Sequence, residues 1–448
     1  MKVFFLSFGC KVNQYETEGL KEKFTAEGFT VTKEMHEADV IIVNSCTVTA
    51  SGDSRSLHAL RKAREACPKA VTVLTGCLPQ ASEDKERLSK EADIVTGTKN
   101  RSMLPSLVKS FIEERKAILN IEEYNKGDPF EVMNCTEFQS KTRAFVKIQD
   151  GCDRFCSYCL IPFARGRCRS KPLDSVISEI TELAANGHRE VVLVGINLMF
   201  YGQDIGCTLT DAVEAVCGIK GVERVRLGSI EPEMMTDNDL KRLAAQPKFC
   251  PQFHLSLQSG CDRTLKAMNR HYTCDEYYTL VEKIRNAFAD PSVTTDIMVG
   301  FPDETEEDFA QTMAFAEKVG FARIHVFSYS RRKGTKADKM ANQIPERIKT
   351  ERMKKLRALG DKMTEKFNQN LVGKTFPVLF ERESDPDNHI GHTPNYTLIK
   401  IPEKNFEKSL KKEIFCVKII SSEKNCCIGE IVSDTAGGSD NTFRKRTV

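Results

Sequence analysis

The chain is expected to be an α/β protein in three parts: an amino-terminal parallel-sheet α/β domain at 1–115, a central incomplete (β/α)6 barrel at 138–368, and a small antiparallel β-barrel at 370–434. Three observations predict this. The first part alternates short apolar runs with helical patterns, the central part contains six further strand-like runs mostly separated by helical stretches, and the last part shows strand-like runs between turn-rich or charged loops.

A length of 448 residues is too great for one ordinary core. Hydrophobic content of 40% and charge of 29% describe a soluble globular protein, and no run of about 18 apolar residues is present to span a membrane. The opening Val3-Phe4-Phe5-Leu6 is too short for an export leader and lacks its basic flank. Seventeen cysteines without such a leader imply a reducing compartment, so a cytoplasmic protein is expected. The 66 basic and 63 acidic residues leave a net charge of +3, so any nucleic-acid surface must be local.

In the first part, Lys2 to Phe8 precedes a helical pattern from Gln14 to Gly28, Ala38 to Asn44 precedes Ser51 to Ala66, and Ala70 to Thr75 precedes Ser82 to Glu91. Cys10, Cys46 and Cys77 each stand just beyond one of these strands. Carboxyl ends of parallel strands share one edge, so the three thiols are expected to converge there. Gly9 and Gly76 would let the backbone come close to a bulky ligand. The plainer alternative is three separate structural cysteines, the reading given to Cys67.

A polar connector at 120–136, with Gly127-Asp128-Pro129, leads to six expected strands: Arg143 to Gln149, Glu190 to Val194, Glu223 to Leu227, Gln252 to Leu257, Val293 to Val299 and Arg323 to Phe327. Between the first two, Val176, Ile177, Ile180, Leu183 and Ala184 lie at helix-face spacing. Barrel active sites form at the carboxyl ends of the strands, and the first strand runs into a loop with Cys152, Cys156 and Cys159 in a Cys-x3-Cys-x2-Cys array. Three thiolates can hold three irons of a cubane cluster and leave the fourth iron open. A closed zinc site would need a fourth ligand, and the next candidate, Cys168, lies across a basic stretch.

Gly195 and Asn197, Ser229 and Glu231, Gln258 and Ser259, and Gly300-Phe301-Pro302 follow later strands and are candidate ligand contacts, although each polar group also reads as satisfying its own turn. Arg165, Arg167, Arg169 and Lys171 form an acid-free run that reads either as a phosphate-holding patch or as a solvated face. From Pro345 to Phe367, Leu356, Leu359, Met363 and Phe367 mark one stripe of a linker helix. The last part shows four strand-like runs, Thr375 to Glu381, Tyr396 to Ile401, Phe415 to Ile420 and Cys427 to Val432, and a polar tail from Ser433 to Val448 expected to fray.

The Cys152 array, with Tyr158 just before its last cysteine, resembles the signature of the radical S-adenosylmethionine (SAM) enzymes. That resemblance implies an open iron that chelates the amino and carboxylate groups of SAM, whose cleavage gives methionine and a 5′-deoxyadenosyl radical. It casts Tyr158, Gly195, Asn197, Ser229, Glu231, Gln258 and Ser259 as cofactor contacts.

Gly-Cys-Lys-Val-Asn-Gln-Tyr-Glu-Thr at 9–17, Asn-Ser-Cys-Thr-Val-Thr at 44–49, Thr-Gly-Cys at 75–77, Met-Asn-Arg at 268–270 and Asp-Ile-Met-Val-Gly-Phe-Pro-Asp-Glu-Thr at 296–305 resemble the methylthiotransferases. Leu78-Pro79 and Cys168 depart from that pattern. The family resemblance implies two [4Fe-4S] clusters, one on Cys10, Cys46 and Cys77 and one on Cys152, Cys156 and Cys159. The first would carry sulfur methylated by one SAM, and the second would cleave another.

Gly391-His392-Thr393-Pro394-Asn395-Tyr396 resembles the RNA-binding TRAM domain, with His392, Asn395 and Tyr396 as contacts to splayed bases beside Arg165, Arg167 and Arg169, although a packing module is the alternative. The motifs look most like the branch that acts on N6-threonylcarbamoyladenosine at position 37 of tRNA. The implied partners are the anticodon stem-loop and an electron donor such as flavodoxin or ferredoxin, with no membrane. Branches acting on N6-isopentenyladenosine or on a ribosomal-protein aspartate are the nearest rivals. A non-catalytic, metal-containing RNA-binding protein is the rival from another class.

Overall fold

The structure, a computed structural model, describes residues 1–138, 142–381, 388–402 and 409–434. Strands β1 (Lys2–Ser7), β2 (Thr30–Val31), β3 (Val40–Ser45), β4 (Val71–Gly76), β5 (Ile94–Thr96) and β6 (Ile118–Asn120) form a parallel sheet in the order β2-β1-β3-β4-β5-β6. β3 and β4 are buried along their whole length, as expected for parallel strands covered on both faces. Ile42 and Val73 pack with Leu20, Phe24 and Val108 on one side, and Val43 and Leu74 with Leu57 and Leu60 on the other. β2, β5 and β6, at two or three residues, are too short to announce themselves by periodicity.

The helix expected over Ser82 to Glu91 is instead two short ones, Cys77–Ala81 and Lys85–Ser89. Pro79 fits the first turn of the former, where a missing N–H breaks no intrahelical bond. Asp84 caps the latter by accepting from the Arg87 N–H (3.0 Å).

The central part adds β7 (Arg143–Lys147), β8 (Gln149–Asp150), β9 (Arg169–Ser170), β10 (Glu190–Val194), β11 (Arg224–Leu227), β12 (Ser229–Ile230), β13 (Gln252–Leu255), β14 (Ser292–Val299) and β15 (Arg323–Ser328). Parallel sheets β7-β10-β11 and β12-β13-β14-β15 are joined at Gly228, so one broken stave serves both and six staves make the open barrel. The first expected strand stops two residues early, at Lys147. Gln149 and Asp150 turn away to pair antiparallel with Ser170 and Arg169, a ladder absent from the expectation. The helix Glu346–Gln369 closes over β15 and buries Leu356 and Met363.

At the carboxyl end, β16 (Thr375–Phe380), β17 (Asn388–His392), β18 (Leu398–Pro402), β19 (Ile414–Ser422) and β20 (Cys427–Asp434) close a barrel in the order β16-β17-β18-β20-β19. Closure needs a fifth strand that the four apolar runs do not show, because β17 reads Asn-His-Ile-Gly-His. β18 and β20 pair parallel, the one exception to the antiparallel pattern. Ser433 and Asp434 complete β20 rather than fraying, and the rest of the tail lies outside the described residues.

Candidate active site

The loop that carries Cys152, Cys156 and Cys159 is fastened from both sides. Gly151 has φ +74°, and a Cβ there would lie 1.9 Å from the Arg167 carbonyl, so only glycine fits. Segment 267–270 clamps the far side: the Ser157 N–H donates to Met268 O (3.0 Å) and its hydroxyl to Ala267 O (2.9 Å), while Asn269 Nδ2 donates to the carbonyls of Arg154 (3.2 Å) and Phe155 (3.1 Å).

Each thiol faces an N–H donor. Ile161 N lies 3.4 Å from Cys159 Sγ, Arg270 Nη1 lies 3.5 Å from Cys156 Sγ, and Asn197 Nδ2 lies 3.9 Å from Cys152 Sγ. Donors aimed at sulfur favour the thiolate form that an iron ligand requires. Burial works the other way and pushes the Cys152 thiol up to about 11 and Cys159 higher still, with the nearby Cys156 adding to both. A metal binding Cys152 and Cys159 must therefore displace their protons against the pull of burial.

Among the described residues, Asn197 Oδ1 and Gln258 Oε1, the latter on a residue at φ +67°, are buried polar atoms without a partner, as is Arg154 Nε on the loop itself. Both oxygens are free to receive a polar ligand. Glu231 is engaged with Arg270, and burial raises its pKa more than that arginine lowers it. Tyr158 packs edge-on against Phe301, among Met268, Met298 and Tyr329. Gly195 lets Gln149 approach, since a Cβ there would sit 2.9 Å from that side chain. Ser229 is exposed. Ser259 corrects the expectation: its fully buried hydroxyl lies 3.3 Å from Thr312 Oγ1 and 3.3 Å from Cys261 N, so it is spent packing the strand end on the helix Glu306–Val319.

Cys10, Cys46 and Cys77 are gathered at one sheet edge. Cys10 precedes the helix Lys11–Ala26, Cys46 follows β3, and Cys77 opens the helix that follows β4. Gly9, at φ +98°, leaves room that a Cβ would fill 2.8 Å from Cys46 Sγ. Burial, then the neighbouring Cys77 and Cys10, raises the Cys46 thiol to about 11, and Cys77 is likewise raised by burial and by Cys10. Among the described residues no three His, Cys, Asp or Glu side chains sit close enough to hold a single metal ion. A cubane cluster takes one iron per thiolate, so its ligands need not meet at one point. Both cysteine groups fit such a cluster by donor chemistry.

The two groups approach each other where helix Ile161–Arg165, just after Cys159, packs on helix Cys77–Ala81. Thr98 Oγ1 donates to Ala164 O (2.5 Å) across this seam, and a second clamp joins Arg332 Nη2 to Thr47 Oγ1 (2.7 Å) and Asp53 (2.5 Å) beside Cys46. A cleft of about 620 Å³ opens at the seam between Gln80, Tyr124, Phe155, Phe163 and Arg167.

The basic run is mostly internal, which corrects its reading as a phosphate patch. Arg165 is fully buried on Glu16 and Asp150, Arg169 pairs with Asp150 and stacks on Tyr124 (4.4 Å), and Lys171 is buried on Glu179. Only Arg167 is solvent-facing, over the Phe155 ring at 4.9 Å.

The expected TRAM contacts are also engaged internally. His392 stacks on Tyr396 (4.4 Å) and bonds Glu381 (2.7 Å), Arg143 and Arg226 of the central barrel lie over Tyr396 at 4.8 and 4.7 Å, and Asn395 Nδ2 donates to Asp290 O (2.9 Å). They join two barrels, and only Tyr396 keeps an exposed face. Asn13, Glu16, Asp150, Asn269, Arg270 and Arg332 carry the site's hydrogen bonds without having been singled out as site residues. Asn13 and Glu16 lie in the 9–17 motif and Asn269 and Arg270 in the 268–270 motif, Asp150 precedes the Cys152 array, and Arg332 has no signal in the sequence.

A six-stave open barrel with a three-cysteine loop at the carboxyl end of its first stave defines a radical SAM enzyme. A family profile described as the radical SAM superfamily matches residues 146–316, and one described as the uncharacterized protein family UPF0004 matches residues 2–97. The threonylcarbamoyladenosine tRNA methylthiotransferase MtaB of Aquifex aeolicus is 38% identical over 86% of this chain and 94% of its own. MtaB of Bacillus subtilis is 35% identical over 94% of each, and a tRNA-2-methylthio-N(6)-dimethylallyladenosine synthase of Caldicellulosiruptor saccharolyticus is 36% identical over 95% of this chain and 92% of its own. The chain belongs to the radical SAM methylthiotransferase family. Its fold is shared with the radical S-adenosylmethionine methyltransferase TsrM of Kitasatospora setae, at TM-score 0.57 and 15% identity over 75% of this chain and 76% of that one.

Proposed function

We propose that the protein is a tRNA methylthiotransferase that converts N6-threonylcarbamoyladenosine at position 37 to its 2-methylthio derivative, with one [4Fe-4S] cluster on Cys152, Cys156 and Cys159 and a second on Cys10, Cys46 and Cys77. The observation that carries this reading is the seam that brings the Cys77 helix against the helix following Cys159. When bound, the first cluster supplies the electron that cleaves SAM, the chemistry needed to open an unactivated C–H bond.

The chain's own residues do the rest. Arg270, Asn197 and the Ile161 N–H orient the three sulfurs. Gln258 Oε1 and Asn197 Oδ1 offer acceptors for the bound cofactor. The packed seam holds sulfur source and radical source at a fixed separation, which is the protein's contribution to rate. The match to both MtaB relatives supports the threonylcarbamoyladenosine substrate.

Nucleoside analysis of tRNA from a deletion strain tests the reading. Loss of the 2-methylthio form of N6-threonylcarbamoyladenosine is expected. Loss of the isopentenyl counterpart instead, or an unchanged profile, would reassign the substrate.

A further inference from the structure

We propose that Arg165 is a positioning residue that brings positive charge from the central barrel to the amino-terminal cysteines and stabilises the more negative states of the cluster they hold. The proposal rests on the assignment of Cys10, Cys46 and Cys77 as cluster ligands.

Arg165 ends the helix Ile161–Arg165 and is fully buried. Its Nη1 donates to Glu16 Oε1 (2.5 Å) and Asp150 Oδ1 (3.3 Å), and its Nη2 to Asn13 Oδ1 (2.6 Å) and Glu16 Oε2 (2.9 Å). Asn13 carries the connection onward, since its Nδ2 donates to Phe8 O (2.8 Å) and Ser45 O (2.9 Å), the carbonyls just before the Gly9-Cys10 turn and Cys46. On its other side the helix of Arg165 packs on the helix that Cys77 opens. Arg165 thus touches the supports of all three cysteines while belonging to the element that follows Cys159.

The charge count around it is unbalanced. Four cations, Arg101, Lys147, Arg165 and Arg169, share two carboxylates, Glu16 and Asp150, with every one of these side chains nearly inaccessible to water. Arg165 Nε, Arg101 Nε and Arg101 Nη2 are buried without a hydrogen-bond partner. A surplus of buried positive charge is costly unless an anion lies beside it. A cubane bearing three thiolates is such an anion, and Cys77 and Cys46 are within electrostatic reach of Arg165. Positive charge beside a cluster favours its more reduced, more negative form, and equally an added anionic sulfur.

The test uses full-length protein with Cys152, Cys156 and Cys159 replaced by alanine, so that only the amino-terminal cluster can be reconstituted. Iron content, midpoint potential by EPR-monitored redox titration, and thermal unfolding are compared between this parent and its Arg165→Gln and Arg165→Lys versions. The glutamine version is expected to show a more negative midpoint, and the lysine version to stay close to the parent. Loss of iron from the glutamine version alone also supports the proposal, because charge rather than shape is then what the site needs. An unshifted midpoint with glutamine, or an equal effect of both substitutions, overturns it and leaves Arg165 a packing group. A parent that binds no iron overturns the cysteine assignment itself, and the proposal with it.

Discussion

Glu16 and Arg165, 149 residues apart, are joined by two hydrogen bonds of 2.5 and 2.9 Å inside the seam between the amino-terminal sheet and the central barrel. Glu16 also receives Arg101 (2.6 Å) and Lys147 (2.7 Å). Burial alone would raise its pKa, but the three cations outweigh burial and hold it well below the usual carboxylate range. Glu16→Gln keeps the shape and removes the charge, leaving more buried cation uncompensated. It is expected to cost about 3 kcal/mol, read as a lower urea midpoint and faster proteolysis between the two parts. An unchanged midpoint would show that the seam does not depend on this charge.

Separate roles for the two cysteine groups predict separable losses. Cys156→Ala removes the sulfur on which Arg270 converges and is expected to abolish SAM cleavage, measured as 5′-deoxyadenosine release. Cys46→Ala leaves the barrel loop intact and is expected to retain cleavage while losing sulfur insertion into tRNA. Undiminished methylthiolation by either reconstituted variant would refute the role assigned to it.

The clamp at 267–270 makes a kinetic prediction. Asn269 sits at φ +59° and holds two carbonyls of the cysteine loop through its side chain. Asn269→Gly keeps the backbone conformation and deletes only these bonds, worth about 1 kcal/mol each. Iron release from the Cys152 site to a chelator is expected to speed up about tenfold, since two such bonds exceed the 1.4 kcal/mol of one decade, while release from the Cys46 site stays unchanged. Equal rates in wild type and variant would assign loop order to Gly151 and the Ser157 bonds instead.

How much of this is legible in the sequence depends on how local each signal is. The staves, the helix stripe at Leu356 and Met363, and the strand ends bearing Cys10, Cys46 and Cys77 are legible because period and spacing act within a few residues. β5, β6 and β17 are not, because pairing with the strands beside them rather than their own pattern makes them strands. The misread basic run has the same cause in reverse. Arg165 and Arg169 look solvated until Glu16, from another part of the chain, and Asp150, turned aside by the β8–β9 ladder, arrive to bury them. His392 and Tyr396 look like an RNA face until Arg143 and Arg226 stack on Tyr396 and Glu381 engages the His392 ring.

This redistribution moves the expected RNA contacts to the cleft. Arg167 is 58% exposed in its side chain, Phe163 is 56% exposed, and the two meet on either side of Phe155. An arginine beside exposed aromatic faces suits a phosphate next to an unstacked base. Arg167→Ala is expected to weaken binding of an anticodon stem-loop RNA and to lower the salt slope by about 1, with little change in stability. Arg169→Ala is expected to lower stability instead. If Arg167→Ala binds RNA with unaltered salt dependence, the cleft is not the phosphate-bearing face.

The joint between the two barrels carries a prediction about acid. Glu190 is fully buried among Arg226 (3.0 Å), Arg224 (3.4 Å) and Arg143 (4.0 Å), and these arginines bond carbonyls or side chains of the carboxyl-terminal barrel: Arg224 reaches His392 O (2.9 Å) and Pro377 O (2.5 Å), Arg226 reaches Pro394 O (2.8 Å), and Arg143 reaches Glu381 (3.0 Å). Burial pushes the Glu190 carboxyl up, but the three guanidiniums outweigh it and hold its pKa at about 2, against an ordinary value of 4.5. A carboxyl depressed in the folded state stabilises it fully above its unfolded pKa, and the contribution, about 3 kcal/mol, is lost as pH falls through 4.5 toward 2. The carboxyl-terminal barrel is therefore expected to loosen over that window, seen as new protease cleavage where helix Glu346–Gln369 passes into β16. Glu190→Gln is expected to show such cleavage already at neutral pH and to flatten the acid dependence. A variant with the wild-type acid profile would place the titrating group elsewhere, with Glu381 beside His392 the next to examine.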